Sequence, residues 1–304
     1  MSVVPAVRLV LPATSANLGP GFDAAGLALS MHLSMEAHAA SSFEIHATGR
    51  DAELCGALER NLTLDTYRAV LNAAGRQVIP LQLKIHNEIP LGMGCGSSAA
   101  ALLAGVALAD HFGNLGLGDA GIVAEASRRE GHPDNVAACW YGGFTVSSQQ
   151  DGAVEVATFA GDPNWELVLA VQPTSLATKE ARALLPDSYS KADAIFNVQR
   201  ASLLVAAFAQ GRLGLLATAM QDRMHQPYRT EACPLLKQLL PLAAEPEIAG
   251  VALSGAGPSV LLFLAEGTTF LEAETRLRRL LAPEVELLSL RIAGGATKTL
   301  LNAQ

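Results

Sequence analysis

The most constraining feature of the sequence is a stretch without charged side chains, residues 89–109, between Glu88 and Asp110. It reads IPLGMGCGSSAAALLAGVALA. Its length would suffice for a membrane-spanning helix, which needs about 20 apolar residues. However, Pro90, three alternating glycines and two serines fill its first half, and only residues 99–109 read as continuous helix. We therefore interpret the stretch as a loop followed by a buried helix, not as a membrane span.

Glycines at this spacing occur in several kinds of nucleotide-binding loop. A Walker loop ends in glycine, lysine and serine or threonine, whereas here Gly96 is followed by two serines and no lysine. The dinucleotide-binding pattern is met only loosely, by Gly94, Gly96 and Ala99, and it requires an acidic residue at the end of the next strand. Asp119 has the required spacing but begins a predicted helix. Both patterns are therefore disfavoured.

The arrangement that fits is a strand, a glycine-rich loop and a helix that starts with two serines. Residues 81–89 alternate between apolar and polar side chains, as a strand does. Glycines allow the backbone to approach a ligand closely, and the amides of the first helical turn favour an anion. The sequence therefore predicts a phosphate-binding loop; a simple helix cap with glycines needed for packing is the alternative. The predicted nucleotide-binding residues of this loop are Pro90, Leu91, Gly92, Met93, Gly94, Cys95, Gly96, Ser97, Ser98 and Ala99.

Composition argues against several classes of protein. The formal charge of −8 leaves no basic patch for nucleic acid or for an anionic membrane surface. The four cysteines are widely separated and include no CxxC pair, which favours free thiols over disulfides or a zinc site. The N-terminal residues lack the basic and apolar segments of a signal peptide, so we expect a cytoplasmic protein.

Turn-forming residues between Asp151 and Pro163 indicate a domain boundary in the middle of the chain. The halves on either side, residues 1–157 and 158–304, each mix predicted strands with predicted helices. The 304 residues, half of them hydrophobic, are enough for two domains with cores of their own. The sequence therefore predicts two α+β domains of similar size.

Three segments resemble the three motifs of the GHMP kinases, which are small-molecule kinases for galactose, homoserine, mevalonate and phosphomevalonate. LPATSANLGPGFDAAGLAL (residues 11–29) resembles the first motif, PLGMGCGSSAA (90–100) the second and LSGAGPSVLLF (253–263) the third. GHPDNVAACWYGGF, ATKEAR and HQPYR further resemble segments of the members that act on homoserine. The one departure is Cys95, where leucine is commonest. The resemblance spans residues 7 to about 263.

The resemblance implies a two-domain α+β GHMP kinase fold with the active site between the domains. The N-terminal domain, residues 1–157, would resemble ribosomal protein S5 domain 2 and bind ATP, and the C-terminal domain, residues 158–304, would be ferredoxin-like. The implied reaction transfers the γ-phosphoryl group of ATP to the side-chain hydroxyl of L-homoserine, in threonine biosynthesis, with Mg²⁺ as cofactor. Members of the family are commonly homodimers.

The resemblance also implies where nucleotide and metal bind. Asn61 would lie near the adenine, and Ser98 and Glu125 would be the magnesium ligands, being the hard oxygen donors that Mg²⁺ prefers. Glu125 follows Ile122 by three residues and so lies on the same side of the predicted helix. The SGAGPS turn, residues 254–259, would pack against the nucleotide-side loops, unless it is an ordinary turn between strands.

The acceptor is an amino acid with a carboxylate, an ammonium group and a hydroxyl. By resemblance, Arg182 and Arg229 bind the carboxylate, since guanidinium groups pair well with carboxylates. Either Asp23 or Asp134 would hold the ammonium group. The full set of predicted substrate contacts is Asn17, Asp23, His132, Asp134, Arg182 and Arg229.

The residues predicted to take part in catalysis are Asn17, Asp134 and Asn135, with the two asparagines orienting the hydroxyl. No lysine is placed to complete the Asp–Lys pair of mevalonate kinases, because Lys84 belongs to a strand and Lys179 to the ATKEAR segment. A loose transition state needs little activation of the nucleophile. We therefore expect catalysis by positioning, with the existence of a general base left open.

Besides a dehydrogenase, which the loosely met dinucleotide-binding pattern supports least, two other functions remain open from the sequence. One is a GHMP kinase for an isoprenoid alcohol or a sugar, against which Arg182 and Arg229 argue because a neutral sugar has no carboxylate. The other is a non-catalytic relative that senses sugar and ATP and acts through protein partners.

Overall fold

The computed structural model describes residues 4–159, 164–174 and 178–301. The strands among these residues are, in chain order, β1 (Val7–Asn17), β2 (Gly21–Ala39), β3 (Glu44–Gly49), β4 (Leu81–Asn87), β5 (Phe144–Gln150), β6 (Ala153–Thr158), β7 (Leu167–Val171), β8 (Ile248–Leu253), β9 (Val260–Leu264), β10 (Glu286–Leu290) and β11 (Thr297–Leu300). The α-helices are α1 (Ala52–Gly56), α2 (Leu62–Ala73), α3 (Ser97–Gly113), α4 (Gly118–Glu130), α5 (Asp134–Tyr141), α6 (Thr178–Ala183), α7 (Lys191–Ala209), α8 (Leu216–Ala219), α9 (Gln226–Arg229), α10 (Pro234–Leu239) and α11 (Phe270–Leu277). Two short 3-10 helices cover Leu213–Leu215 and Leu240–Ala244.

The first sheet is built on the long antiparallel pair of β1 and β2. Its strand order is β11-β1-β2-β4-β3, and the β5–β6 hairpin attaches to β2. Along β4 buried and exposed residues alternate without interruption, so one face packs on the core and the other meets solvent, as the sequence pattern predicts. β11 was not predicted; it comes from the C-terminal part of the chain and pairs with β1.

Helix α3 lies in the core of this first layer and confirms the interpretation of the charge-free stretch. Eleven of its 17 residues are buried, and it packs mainly against α2 and α4. Gly105 allows the close approach of α2, since a Cβ atom there would lie 2.6 Å from the carbonyl oxygen of Thr63. No helix in the described part of the chain is long and apolar enough to cross a membrane.

The second sheet has the order β10-β7-β9-β8, with all neighbours antiparallel. Numbered from its own first strand, this is the order 4-1-3-2 of a ferredoxin-like domain, as the resemblance implies. All residues of β7, β8 and β9 are buried. The sheet therefore carries helical or loop structure on both faces, which explains its uninterrupted apolar strands.

The two sheets meet around the turn between β1 and β2. The backbone N–H of Gly255 donates to the carbonyl oxygen of Ala16 over 3.1 Å, and Arg50, just after β3, forms a bidentate ion pair with Glu286 at the start of β10. These contacts leave a cleft at the N-terminal end of α3. The boundary between residues 157 and 158 stays a prediction, and β11 shows that the chain crosses back into the first layer beyond it.

Candidate active site

A cavity of about 150 Å³ lies in this cleft, between the glycine-rich loop, the β1–β2 turn and the second layer. Residues that are far apart in the sequence converge on it. Its lining consists of Asn17, Phe22, Asp23, Gly92, Gly94, Cys95, Gly96, Ser97, Ser98, Glu130, His132, Asp134, Asn135, Arg182, Arg229, Gly255, Ala256 and Gly257. Most of the residues predicted for substrate and phosphate are therefore brought together, and the SGAGPS turn forms one wall.

The alternating glycines of the loop are required by the backbone and by the neighbouring segments. Gly92, Gly94 and Gly96 have φ angles of 71°, 73° and 70°, which disfavour residues with a Cβ atom. A Cβ atom on Gly94 would overlap the SGAGPS turn, and one on Gly96 would overlap the side chain of Thr14. The Ser254 hydroxyl donates to the carbonyl oxygen of Gly94 over 2.7 Å, so that turn supports the loop as expected.

The N-terminus of α3 opens into the cavity without a side-chain cap. Gly96 is the N-cap residue, and the first turn contains no acidic residue. The free amides of that turn and the positive end of the helix dipole are therefore available to an anion. Because Ser97 and Ser98 line the cavity, their hydroxyls can contact the same anion.

The Cys95 side chain packs into the core beside the cavity. Its side chain is buried, and its carbonyl oxygen accepts a hydrogen bond from the amide of Thr14 over 3.0 Å. Burial raises the pKa of the Cys95 thiol to about 12. The thiol is therefore a neutral core group, and only the backbone of this residue can belong to a phosphate-binding loop.

The structure does not bring the predicted pair of metal ligands, Ser98 and Glu125, together. Ser98 Oγ donates to Glu130 Oε2 over 2.7 Å, and both residues line the cavity. Glu125 does not line it; its carboxylate accepts hydrogen bonds from Arg128 and Arg129 at 2.7–2.9 Å. The reason is geometric, because residues five apart on a helix are separated by about 140° around its axis. Glu130, and not Glu125, is therefore the carboxylate beside Ser98, and the pair of Ser98 and Glu125 as metal ligands stays a prediction that this geometry does not favour.

The two glutamates also differ in their electrostatic surroundings. Burial raises the pKa of Glu130, and the hydrogen bond from Ser98 only partly offsets that rise. Burial also acts to raise the pKa of Glu125, but the hydrogen bonds from Arg128 and Arg129 outweigh it and lower the pKa overall. Glu130 is thus a carboxylate without a nearby arginine partner among the described residues, as a cation-binding group would be.

His132, Asp134 and Asn135 form one buried network at the start of α5. Asp134 Oδ1 accepts from His132 Nδ1 over 2.6 Å and from the amide of Asn135 over 2.7 Å. The Asn135 side-chain oxygen accepts from Thr14 Oγ1 over 2.7 Å. Burial lowers the pKa of His132, but the hydrogen bond and charge of Asp134 outweigh this and raise it overall, with Glu130 and Asp23 adding to the effect.

Asn17 is the last residue of β1 and Asp23 lies near the start of β2, on either side of the β1–β2 turn. Both have positive φ angles, of 70° and 56°. The Asn17 side chain donates to the carbonyl oxygen of Gly255 over 2.9 Å and accepts from the amide of Asp23 over 3.0 Å. Asp23 in turn forms a bidentate ion pair with Arg182, at 2.7 and 2.9 Å. One predicted ammonium-binding carboxylate and one predicted carboxylate-binding arginine are therefore paired with each other.

Arg229 is the second predicted carboxylate-binding arginine, and its environment differs from that of Arg182. It is 2% exposed, and no carboxylate among the described residues pairs with it at salt-bridge distance. Its hydrogen bonds go to the Ala181 carbonyl oxygen (3.2 Å), to His225 Nδ1 (3.1 Å) and to the Gly255 carbonyl oxygen (3.4 Å). Burial, assisted by the charge of Arg182, lowers the pKa of Arg229.

The aromatic ring of Phe22 lies beside both arginines. The guanidinium carbon atoms of Arg182 and Arg229 lie 5.3 and 5.6 Å from its centroid. Such cation–π contacts stabilise positive charge at the floor of the cavity. Two guanidinium groups therefore lie beside one ring, and of the two only Arg182 forms an ion pair with a carboxylate among the described residues.

Asn61 is a further predicted site residue that does not line this cavity. It is the N-cap residue of α2; its side chain accepts from the amide of Leu64 over 3.1 Å and donates to the Cys55 carbonyl oxygen over 3.1 Å. Its role near an adenine stays a prediction. The same holds for Pro90, Leu91, Met93 and Ala99, which flank the lining glycines.

Several residues of the site were not predicted from the sequence. Glu130 directly precedes the GHPDN segment, and His225 begins HQPYR, so both lay next to segments that were already recognised. Phe22 lies inside the first motif. Thr14 was hidden because its partner Asn135 is 121 residues away, a separation at which local patterns carry no information.

Comparison with known proteins gives matches over most of the chain. Residues 61–143 match the GHMP kinases N terminal domain, and residues 204–282 match the GHMP kinases C terminal model. The homoserine kinase of Solibacter usitatus is 48% identical over 263 residues, covering 86% of each chain.

Solved structures agree with this similarity. A Listeria monocytogenes protein assigned as a homoserine kinase superimposes with a TM-score of 0.76 at 30% identity, covering 96% of this chain and 99% of its own. Homoserine kinase from Cytophaga hutchinsonii has a similar fold, with a TM-score of 0.80 at 23% identity and coverage of 98% and 99%. These matches confirm the predicted two-domain fold.

Proposed function

The chain belongs to the GHMP kinase family, and we propose that it is an enzyme that transfers the γ-phosphoryl group of ATP to the side-chain hydroxyl of L-homoserine, yielding O-phospho-L-homoserine in threonine biosynthesis. The observation that carries this proposal is Arg229, a buried guanidinium that faces the cavity and forms no ion pair with a carboxylate among the described residues. Uncompensated buried charge is costly. A ligand carboxylate removes that cost, which a neutral alcohol or sugar cannot do.

The nucleotide end of the site is the glycine-rich loop with the N-terminus of α3. Uncapped amides, a helix dipole and two hydroxyls, those of Ser97 and Ser98, provide the neutral and positive contacts that a triphosphate requires. No Walker lysine is needed for this arrangement. Phosphoryl transfer depends on holding the phosphate chain and the acceptor in line. This loop would hold the phosphate chain.

Magnesium is the second part of the proposal. Ser98 and Glu130 fit it, since a hydroxyl and a carboxylate oxygen 2.7 Å apart at the phosphate loop are the hard donors that Mg²⁺ prefers. When bound, the ion would neutralise charge on the phosphate oxygens. Glu130 would then exchange its hydrogen bond with Ser98 for the metal.

The acceptor end is complementary to an amino-acid zwitterion. Arg229, together with Arg182, would bind the carboxylate, and Asp23 or Asp134 would bind the ammonium group. In the structure Asp23 and Arg182 neutralise each other. A zwitterionic substrate brings one positive and one negative group, so its binding adds no net charge to the site.

Catalysis would depend on positioning more than on a general base. Asp134 Oδ1 already accepts hydrogen bonds from His132 and Asn135, and the Asn135 side chain is held by Thr14. These contacts fix the groups around the acceptor hydroxyl. In a loose transition state the acceptor hydroxyl still holds most of its proton. The proton would therefore be transferred late, to Asp134 or to phosphate.

The proposal is tested by measuring ADP release with homoserine, mevalonate, galactose and shikimate as acceptors. We expect release with L-homoserine and little with the other three. Absence of homoserine-dependent release would contradict the proposal; release with mevalonate or galactose would favour the other kinase specificities, and binding of ATP without turnover would favour a sensing protein. A homodimer and a cytoplasmic location are proposed on family membership alone.

A further inference from the structure

His225 is a buried histidine that contacts the acceptor site from behind. Its side chain is 0% exposed. Its Nδ1 atom lies 3.1 Å from Arg229 Nη1, and its Nε2 atom lies 2.7 Å from the Gly19 carbonyl oxygen. An arginine N–H only donates, so Nδ1 must accept from it and Nε2 must carry the proton that is donated to Gly19. The ring is therefore the neutral Nε2–H tautomer.

The position of this ring is fixed by the segment before α9. The Asp222 carboxylate accepts hydrogen bonds from the amides of Met224, His225 and Gln226 and from the side chain of Asn197, all at 2.7–2.9 Å. The ring also packs against Phe22, with centroids 5.3 Å apart. The backbone and one ring face are thus held before any ligand binds.

We propose that His225 is a positioning residue, which holds the Arg229 guanidinium in the orientation that binds the acceptor carboxylate. This inference rests on the proposed function. Without His225, Arg229 would keep two contacts to carbonyl oxygens, those of Ala181 and Gly255, at 3.2 and 3.4 Å. His225 also joins Arg229 to Gly19 in the β1–β2 turn. One ring therefore connects the arginine proposed to bind the carboxylate with the turn next to Asp23, a residue proposed to bind the ammonium group.

The charged groups around the ring are compatible with this role. Burial lowers the pKa of His225, and Arg229 lowers it further, whereas Asp222 and Asp23 act in the opposite direction. The net direction is downward, so the ring stays neutral and its Nδ1 lone pair stays available. Protonation would place an N–H group against the donor of Arg229.

Two substitutions separate the functions of the two ring nitrogens. In His225→Asn the amide oxygen can take the place of Nδ1 and accept from Arg229, whereas in His225→Gln the amide nitrogen can take the place of Nε2 and only the bond to Gly19 survives. Loss of a hydrogen bond to a charged group predicts an increase of about ten- to hundredfold in KM for L-homoserine in His225→Gln. His225→Asn should retain most of the affinity.

The kinetic split distinguishes positioning from a general loss of structure. Because carboxylate binding is equal in the ground and transition states, kcat and KM for ATP should stay within about twofold in His225→Gln. With 3-aminopropan-1-ol, an acceptor without the carboxylate, wild type and His225→Gln should have equal kcat/KM. His46→Gln, on the exposed part of β3, is the control for the substitution itself. Equal losses in the Asn and Gln variants, or equal losses with both acceptors, would overturn the inference.

A measurement on the wild-type protein does not depend on either variant folding. Nitrogen-15 spectra of the histidine rings should contain one Nε2–H ring whose pKa is lower than that of an unperturbed histidine. Its Nδ1 resonance should shift when L-homoserine is added. A ring in the Nδ1–H tautomer, or one that homoserine leaves unchanged, would contradict the inference. A wild-type enzyme without homoserine-dependent ADP release would instead contradict the proposed function.

Discussion

Replacing Glu130 with glutamine, beside the same change at Glu125, tests the assignment of the metal-binding carboxylate. Both residues lie on α4, and both substitutions remove one negative charge with little change of shape. Only Glu130 contacts Ser98 at the phosphate loop. The pair of variants therefore compares two positions of one helix under the same chemical change.

The structure predicts different losses of activity for the substitutions at Glu130 and Glu125. Glu130 is a half-buried carboxylate whose proposed partner is the metal ion. Removing the charge of one partner of such a pair costs about 2–5 kcal/mol, which corresponds to a roughly thirty- to several-thousandfold lower kcat/KM for ATP. Glu125 forms partly exposed pairs with Arg128 and Arg129 on its own helix. Such pairs contribute about 0.3–0.5 kcal/mol each, so Glu125→Gln should lower stability slightly and leave turnover unchanged.

The assay is ADP release at saturating L-homoserine and fixed ATP, with Mg²⁺ titrated. Glu130→Gln should need more Mg²⁺ for half-maximal activity and should reach a lower plateau. Glu125→Gln should follow the wild-type curve. Unchanged Mg²⁺ dependence in Glu130→Gln, or an equal loss in Glu125→Gln, would refute the assignment.

Three further predictions concern the same site. Asp134→Asn should lower kcat by no more than about a hundredfold, the cost of one charged hydrogen bond; a loss of several decades at saturating homoserine, with the fold intact by circular dichroism, would indicate a true general base. Gly96→Ala should lower the free energy of unfolding by about 2–5 kcal/mol in urea denaturation, because backbone strain and overlap with Thr14 add, whereas Gly75→Ala, with a φ of 63° and open space, should show only the strain. Because the pKa of His132 is raised in the folded protein, its protonation stabilises the fold fully below the ordinary pKa of 6.5, and this stabilisation is lost as pH rises through the folded-state pKa. The free energy of unfolding of the wild type should therefore fall more steeply between these two pKa values than that of His132→Asn. Parallel curves would show that the ion pair with Asp134 contributes nothing.

Local patterns in the sequence were sufficient for most of the architecture. The alternation in residues 81–89 and the glycine run before Ser97 each depend on neighbours within a few positions, and β4 and α3 follow them closely. The motifs also identified most of the cavity lining, because the loop, the β1–β2 turn and the segment before α5 each carry their polar residues within a short stretch.

The contacts of the site that the sequence did not predict join residues that are far apart in the chain or at different ends of one helix, and a local sequence pattern does not contain such distances. The choice of Glu125 used its alignment with Ile122, but helical periodicity does not tell which end of α4 reaches Ser98. Thr14 and His225 act through partners more than 100 residues away, Asn135 and Gly19. A buried hydrogen bond between distant segments depends on tertiary packing, so its members are found only when the fold is known.

The pairing of β11 with β1 has a consequence for the order in which the protein can assemble. The phosphate loop and the α3 helix belong to the first layer, yet the edge of that layer is made by residues 297–300, which leave the ribosome after the whole second sheet. Domains generally fold as units during synthesis, beginning with the N-terminal one. Here β1 stays unpaired on the side of β11 until the second sheet has been synthesised. Nascent chains that lack residues 297–300 would therefore expose β1 to pairing with other strands, and truncation there would act on the ATP-binding layer although it removes residues from the opposite end of the sequence.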